Sequence, residues 1–156
     1  MTWQEVCDDP CLQDLPYKIE LDQWGRIVMS PANNRHARRQ VCIAAWLELH
    51  LKDGETMTEC SVDTPMGTKV PDVAWASDGF IRKHAYDTPY PVAPEICVEI
   101  KSPSNSAGAI AEKIMLYLSK GAHEVWICDN DGNVTFHNHS GALSASALAP
   151  AFPTKL

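Results

Sequence analysis

Several common signatures are missing from this chain, and each absence removes a class of protein. No run of eighteen apolar residues occurs, which excludes a membrane-spanning helix. The opening segment MTWQEVCDDP carries acids where a secretory leader has a basic region and an apolar stretch, so the expected compartment is the cytoplasm. There is no C-x-x-C spacing among the six cysteines, and Cys7 and Cys11 have no matching pair, which argues against a zinc knuckle. No glycine-rich phosphate loop, G-x-S-x-G elbow or H-E-x-x-H pair is present, removing the commonest nucleotide-binding, serine-hydrolase and zinc-protease readings. Basic residues are also scarce: 13 Lys and Arg against 20 Asp and Glu, a net charge of −7. That balance disfavours tight non-specific binding to a polyanion, although it leaves local basic patches open.

What is present is a chain of 156 residues with 45% hydrophobic content, enough to bury one core without disulfide or metal staples. Cys42, Cys97 and Cys128 lie in apolar segments and read as reduced thiols packed like small hydrophobes. Residues 1–16 read as a short helical arm, 17–140 as one domain, and the Ala-, Ser- and Pro-rich stretch 141–156 as a loosely attached tail.

Within the domain, Tyr17-Lys18-Ile19-Glu20-Leu21 alternates apolar and polar residues and returns through a turn at Trp24-Gly25 into Arg26-Ile27-Val28-Met29, a hairpin. Residues 35–52 predict a partly buried helix that ends at Gly54. Strands are expected over 56–61 and 69–76, separated by a Pro-Met-Gly turn, with a short helix over 78–84. The clearest strand is Glu95-Ile96-Cys97-Val98-Glu99-Ile100-Lys101, stopped by Ser102-Pro103-Ser104-Asn105, which caps a helix over 106–120. A buried strand over 123–129, an Asn-Asp-Gly-Asn turn and a strand over 134–137 follow. Helices before and after a central group of strands predict a layered α/β (α+β) domain.

One constellation carries chemistry. In an extended strand Glu99 and Lys101 project from the same face, and Asp72 follows Pro71 on a neighbouring strand. Two carboxylates converging near a strand end form a hard oxygen site suited to Mg²⁺ or Mn²⁺, with a lysine beside it to position water and offset phosphate charge. E-x-K alone carries little weight, since average composition gives a chain this long on the order of even odds of one occurrence. The weight lies in the joint order: Pro-Asp, then E-x-K on an apolar strand running into a capped helix.

That order resembles the signature of the PD-(D/E)XK nuclease superfamily. The stretches YKIELDQWGRIVMSP, VPDVAWAS, EICVEIKSPSN and EKIMLYLSKGAHEVWICD are similar, more narrowly, to the Uma-two family of bacterial restriction-type endonucleases, from about Tyr17 to Phe136. The resemblance implies a restriction-endonuclease-like mixed sheet flanked by helices. It implies metal ligation by Asp72, Glu99 and the carbonyl of Ile100, with Lys101 as the catalytic lysine and Glu20 as an upstream acid. It also aligns Lys113 and Tyr117, one helical turn apart, with the Q-x-x-x-Y motif of related nucleases; Tyr117 reads equally well as a packed aromatic.

The one basic cluster, Arg35, His36, Arg38 and Arg39, opens a helix, where cations oppose the helix dipole. Two uses are open: contact with a DNA phosphate, or partnership of His36 or Arg39 with the acidic cluster. Exposed arginines on a solvated helix end are a third reading. His137-Asn138-His139 spells another nuclease motif but sits in one short run after a hairpin, and reads as exposed polar residues. The expectation is a Mg²⁺- or Mn²⁺-dependent DNA endonuclease, with a homodimer supplying the two sites that cutting two strands needs. The rivals are a nuclease-fold binding or assembly module that does not cut, and a small-substrate metal phosphoesterase.

Overall fold

A hydrophobic strand that is covered on both sides needs a layer against each face, and this chain supplies one helix to each. The structure is a computed structural model that describes residues 1–103 and 105–156; Ser104, part of the expected strand stop, lies outside them. Its elements run α1 (Trp3–Asp8), a 3₁₀ turn (Pro10–Leu12), β1 (Tyr17–Leu21), β2 (Ile27–Pro31), α2 (Asn34–His50), β3 (Gly54–Thr58), β4 (Val62–Thr64), β5 (Gly67–Lys69), β6 (Val73–Ser77), α3 (Asp78–His84), β7 (Ile96–Ile100), α4 (Ala107–Ser119), β8 (Glu124–Cys128), β9 (Val134–Asn138) and β10 (Gly141–Leu143).

Six strands form the main sheet in the order β10-β9-β8-β7-β6-β3. Only β7 and β8 pair in parallel, joined across the sheet by α4; the other neighbours are antiparallel. The period-two reading of β7 holds. Ile96, Val98 and Ile100 enter a core with Ile43 and Leu47 of α2, while Cys97 packs with Ile110, Tyr117 and Leu118 of α4. Glu99 alternates with Val98 and therefore emerges on the α4 face, at the end of the strand.

The hairpin β1–β2 forms its own two-stranded sheet, as does β4–β5. The two are locked together: Lys69 Nζ donates to the Leu21 carbonyl at 3.1 Å, and Val70 N–H donates to Glu20 Oε1 at 2.9 Å. A Cβ at Gly67, where φ is +89°, would run into the Leu21 and Asp22 carbonyls, so only glycine lets the β4–β5 turn approach this closely.

Three expectations need correction. The stretch expected to hold two strands, over 56–61 and 69–76, holds four. The Pro-Met-Gly turn closes the small β4–β5 ladder, and β3 pairs with β6. Cys42 is exposed, because its position on α2 faces away from the sheet; all six thiols are nevertheless free, as expected. Val41 and Leu49 share that outward side of α2, and Ile43 and Leu47 carry the burial. The segment after Ser140 is not loosely attached. Phe152, 3% exposed, packs edge-on against Trp46 and at a tilt against Trp126, because the α2 face of the sheet is left uncovered beyond the helix. The carboxylate of Glu124 fastens the segment by accepting hydrogen bonds from Ser146 Oγ and from the backbone N–H groups of Ala147 and Leu148.

Candidate active site

The antiparallel pairing of β6 and β7 brings Asp72, the residue just before β6, level with the end of β7. Asp72 N–H donates to the Val98 carbonyl at 2.9 Å, and Asp72 Oδ2 accepts the Ile100 N–H at 2.6 Å. Glu99 projects beside it, and both are buried. The two carboxylates expected to converge therefore do.

Each remaining oxygen is occupied. Lys18 Nζ lies 2.7 Å from Asp72 Oδ1 and 3.3 Å from Glu99 Oε2, bridging the pair. Glu99 Oε1 accepts the Tyr117 O–H at 2.7 Å and lies 3.1 Å from Lys113 Nζ. Lys113 reaches on to Glu20 Oε1 at 2.8 Å. His36 Nε2 stands 3.3 Å from Asp72 Oδ1, and one turn along α2 Gln40 donates to the Asp72 backbone carbonyl at 2.9 Å. Three carboxylates and two ammonium groups thus share one small, mostly buried volume.

Burial and mutual repulsion set the protonation of this cluster. Burial pushes Glu99 above the ordinary carboxylate range; Lys113 and Lys18 oppose that, while Asp72 and Glu20 add to it. Burial also acts on Asp72, but the His36 hydrogen bond and the Lys18 charge outweigh it and hold the carboxyl down at about 2. Glu20 is likewise held low, its burial overcome by Lys113 and Lys18. Burial works against the Lys18 ammonium, yet Glu99, Asp72 and Glu20 together keep it firmly protonated.

Lys18, His36, Glu99 and Lys113 line a cleft between the β1–β2 hairpin, α2 and the start of α4, walled by Tyr17, Pro31, Ala32, Ala37 and Ile110, with Asp72 and Glu20 buried behind them. A second hollow, lined by Arg35, Arg39, Lys101 and Asn130, adjoins it; His36 and Ile100 border both. Lys101 belongs to this second hollow. It lies one residue past the end of β7, its N–H already bonded to the Cys128 carbonyl, and its ammonium makes no hydrogen bond or ion pair among the described residues. The alternation that would have put it beside Glu99 ends with the strand.

The basic cluster divides. His36 turns in to Asp72. Arg39 turns to the β8–β9 side, where its Nη2 donates to the Asn130 carbonyl at 2.9 Å and its Nη1 meets Cys128 Sγ at 3.5 Å. It therefore does not reach the acidic cluster. Arg35 and Arg38 stay exposed. Lys18 and Gln40 were missed in the sequence. The signals were present: Lys18 and Glu20 share one face of β1, and Gln40 follows His36 by one helical turn.

Among the described residues no group of three or more His, Cys, Asp or Glu side chains is arranged to hold a metal ion. Magnesium takes only one or two protein carboxylates and completes its shell with water. The Asp72–Glu99 pair fits that donor chemistry, and the Lys18 ammonium is already a cation lodged between them. No helix among the described residues is long and apolar enough to cross a membrane.

A mixed sheet with an acidic pair at the end of its central strands, backed by a helix bearing Lys and Tyr, defines a restriction-endonuclease-like fold. The chain belongs to the Uma2 family, described as "Putative restriction endonuclease", which matches residues 5–144. Among solved structures it is similar to a "putative nuclease belonging to DUF820" from Anabaena variabilis ATCC 29413. That likeness has 17% identity and a TM-score of 0.68, and covers 99% of this chain and 83% of that one. No match was found among curated proteins.

Proposed function

We propose that this protein is a Mg²⁺- or Mn²⁺-dependent endonuclease that hydrolyses DNA phosphodiester bonds, working in the cytoplasm as a homodimer. The observation that carries this reading is the convergence of Asp72, just before β6, and Glu99, in β7, on one shared cation, the Lys18 ammonium, at a cleft that Lys18 and Glu99 line. Asp72 and Glu99 would hold the ion, with the Ile100 carbonyl as the third donor that the family resemblance implies. Such an ion, when bound, neutralises charge at the scissile phosphate and lowers the pKa of water.

The chain's own residues divide the remaining work. Lys113 offsets negative charge from the Glu20 side, and Tyr117 fixes the carboxylate of Glu99 through its hydrogen bond. Lys101 and Arg35, in the adjoining hollow, meet the phosphate backbone on either side of the cut, and Arg38 lies on the same exposed helix start. His36 holds Asp72 ionised and oriented.

A second reading, a nuclease-fold binding module without catalysis, is favoured by one observation: the carboxylates are already satisfied by Lys18 and Lys113. Calorimetric titration with Mn²⁺ and a plasmid-nicking assay, each on wild type and Asp72→Asn, separate the two. Binding and nicking in wild type that both vanish in the variant support the nuclease. A wild type that binds no Mn²⁺ at millimolar concentration leaves the binding module. DNA affinity should fall steeply with salt and weaken in Arg35→Ala/Arg38→Ala. Activity insensitive to salt would instead point to a small phosphoester.

A further inference from the structure

Two cations cannot occupy the same position between one pair of oxygens. Asp72 offers Oδ1 and Oδ2, and Oδ2 is committed to the Ile100 N–H at 2.6 Å, a bond set by the backbone. Glu99 offers Oε1 and Oε2, and Oε1 is committed to the Tyr117 hydroxyl and to Lys113. The oxygens left for a shared ion are Asp72 Oδ1 and Glu99 Oε2. Lys18 Nζ touches both, at 2.7 and 3.3 Å.

We propose that Lys18 is a built-in counter-ion that occupies the cation position between Asp72 and Glu99 and must be displaced before a divalent metal can bind. This rests on the metal-dependent reading proposed above. The charge balance favours it. Glu20, Asp72 and Glu99 carry three negative charges against the two positive charges of Lys18 and Lys113. With these five groups ionised the empty cluster carries one net negative charge; a divalent ion turns that into one net positive charge in a poorly solvated space, and the departure of one ammonium brings the sum to zero. Lys113 has reason to stay, because its bond to Glu20 at 2.8 Å does not involve the shared oxygens. Among the described residues the ion pairs of Lys18 are with those two carboxylates alone, so every one of them is given up to the metal.

The backbone of β1 cannot carry Lys18 away. The hairpin is anchored through Glu20 to Val70 and through Leu21 to Lys69. The movement therefore falls on the four-carbon side chain, which lines the open cleft and swings into it. The consequence is that metal affinity is set by competition with a tethered ammonium, and that the protein folds stably without metal.

The test is carried out on the whole chain. In wild type labelled with ¹⁵N-lysine, the Lys18 ammonium gives a protected NMR signal in the absence of metal and loses it as Mg²⁺ saturates, while the Lys113 signal persists. In calorimetry with Mn²⁺, Lys18→Met and Lys18→Gln bind at least tenfold more tightly than wild type. Metal saturation that leaves the Lys18 signal protected overturns the proposal, as does equal or weaker Mn²⁺ binding in folded Lys18 variants. Should both variants fail to fold, the wild-type NMR titration decides alone. Absence of Mn²⁺ binding to wild type and variants alike overturns the metal-dependent reading together with this one, whereas equal binding overturns this one by itself.

Discussion

Tyr117 and Glu99 stand on different elements, α4 and β7, and meet through a 2.7 Å hydrogen bond from the phenolic hydroxyl to Oε1, both side chains buried. The bond ties the helix that crosses from β7 to β8 back onto the strand it left. It also fixes the rotation of the Glu99 carboxylate, and so decides which of its oxygens faces Asp72. The aromatic ring packs at the same time with Cys97, Val125 and Leu118. Tyr117 is thus a packed aromatic whose hydroxyl also holds Glu99.

Tyr117→Phe keeps the ring and removes the donor. A buried charged acceptor that loses one partner typically costs about 1–3 kcal/mol. Urea unfolding should show a loss in that range with an unchanged slope, and Mn²⁺ affinity should fall because Glu99 is freed to rotate. Full stability in the variant would show that the hydrogen bond has no structural weight.

The two lysines of the motif regions separate by stability. Lys113→Met leaves Glu20 and Glu99 facing each other with one cation fewer, a loss on the order of 3 kcal/mol for a buried pair broken on one side. Lys101→Met removes a side chain with no ionic partner among the described residues, and should stay within about 0.5 kcal/mol. Both should lower DNA nicking. Equal destabilisation by the two substitutions would contradict the placement of Lys101 in the adjoining hollow.

Phe152 is the anchor of the C-terminal segment, set among Trp126, Phe136 and Trp46. Phe152→Ala should cost about 3–5 kcal/mol, as aromatic truncations in packed cores do. Chain shortened before residue 144 should be destabilised at least as much. A native-like melting temperature for either would mean that this segment only covers the sheet.

Acid should reveal Asp72. Its folded pKa, about 2, lies below the unfolded value of about 3.9. A depressed acid contributes stability that is fully present above the unfolded value and is lost as the pH falls through the folded one. Between roughly pH 4 and pH 2, wild type should therefore lose more stability than Asp72→Asn, which lacks that titration. Denaturant melts at pH 5 and pH 3 measure the difference, and parallel losses in the two proteins would exclude the effect.

How much of this was legible in the residues can be stated element by element. Period-two alternation in Ile96-Val98-Ile100 and the Asn-Asp-Gly-Asn turn are local features, set by side-chain direction and backbone preference; the cap of α4, expected within 102–105, is Ser106. These local features and the Pro-Asp and E-x-K motifs determined the class of fold and the pairing of Asp72 with Glu99. Only the tertiary structure decided what lies around that pair. That Lys18 bridges the carboxylates, that Lys101 falls past the end of β7 and outside the cluster, that Arg39 turns to Asn130, and that Phe152 closes the core depend on contacts between residues far apart in the chain. Spacing records the direction in which a side chain leaves its own strand or helix; it holds no record of which distant charge or ring will be waiting there.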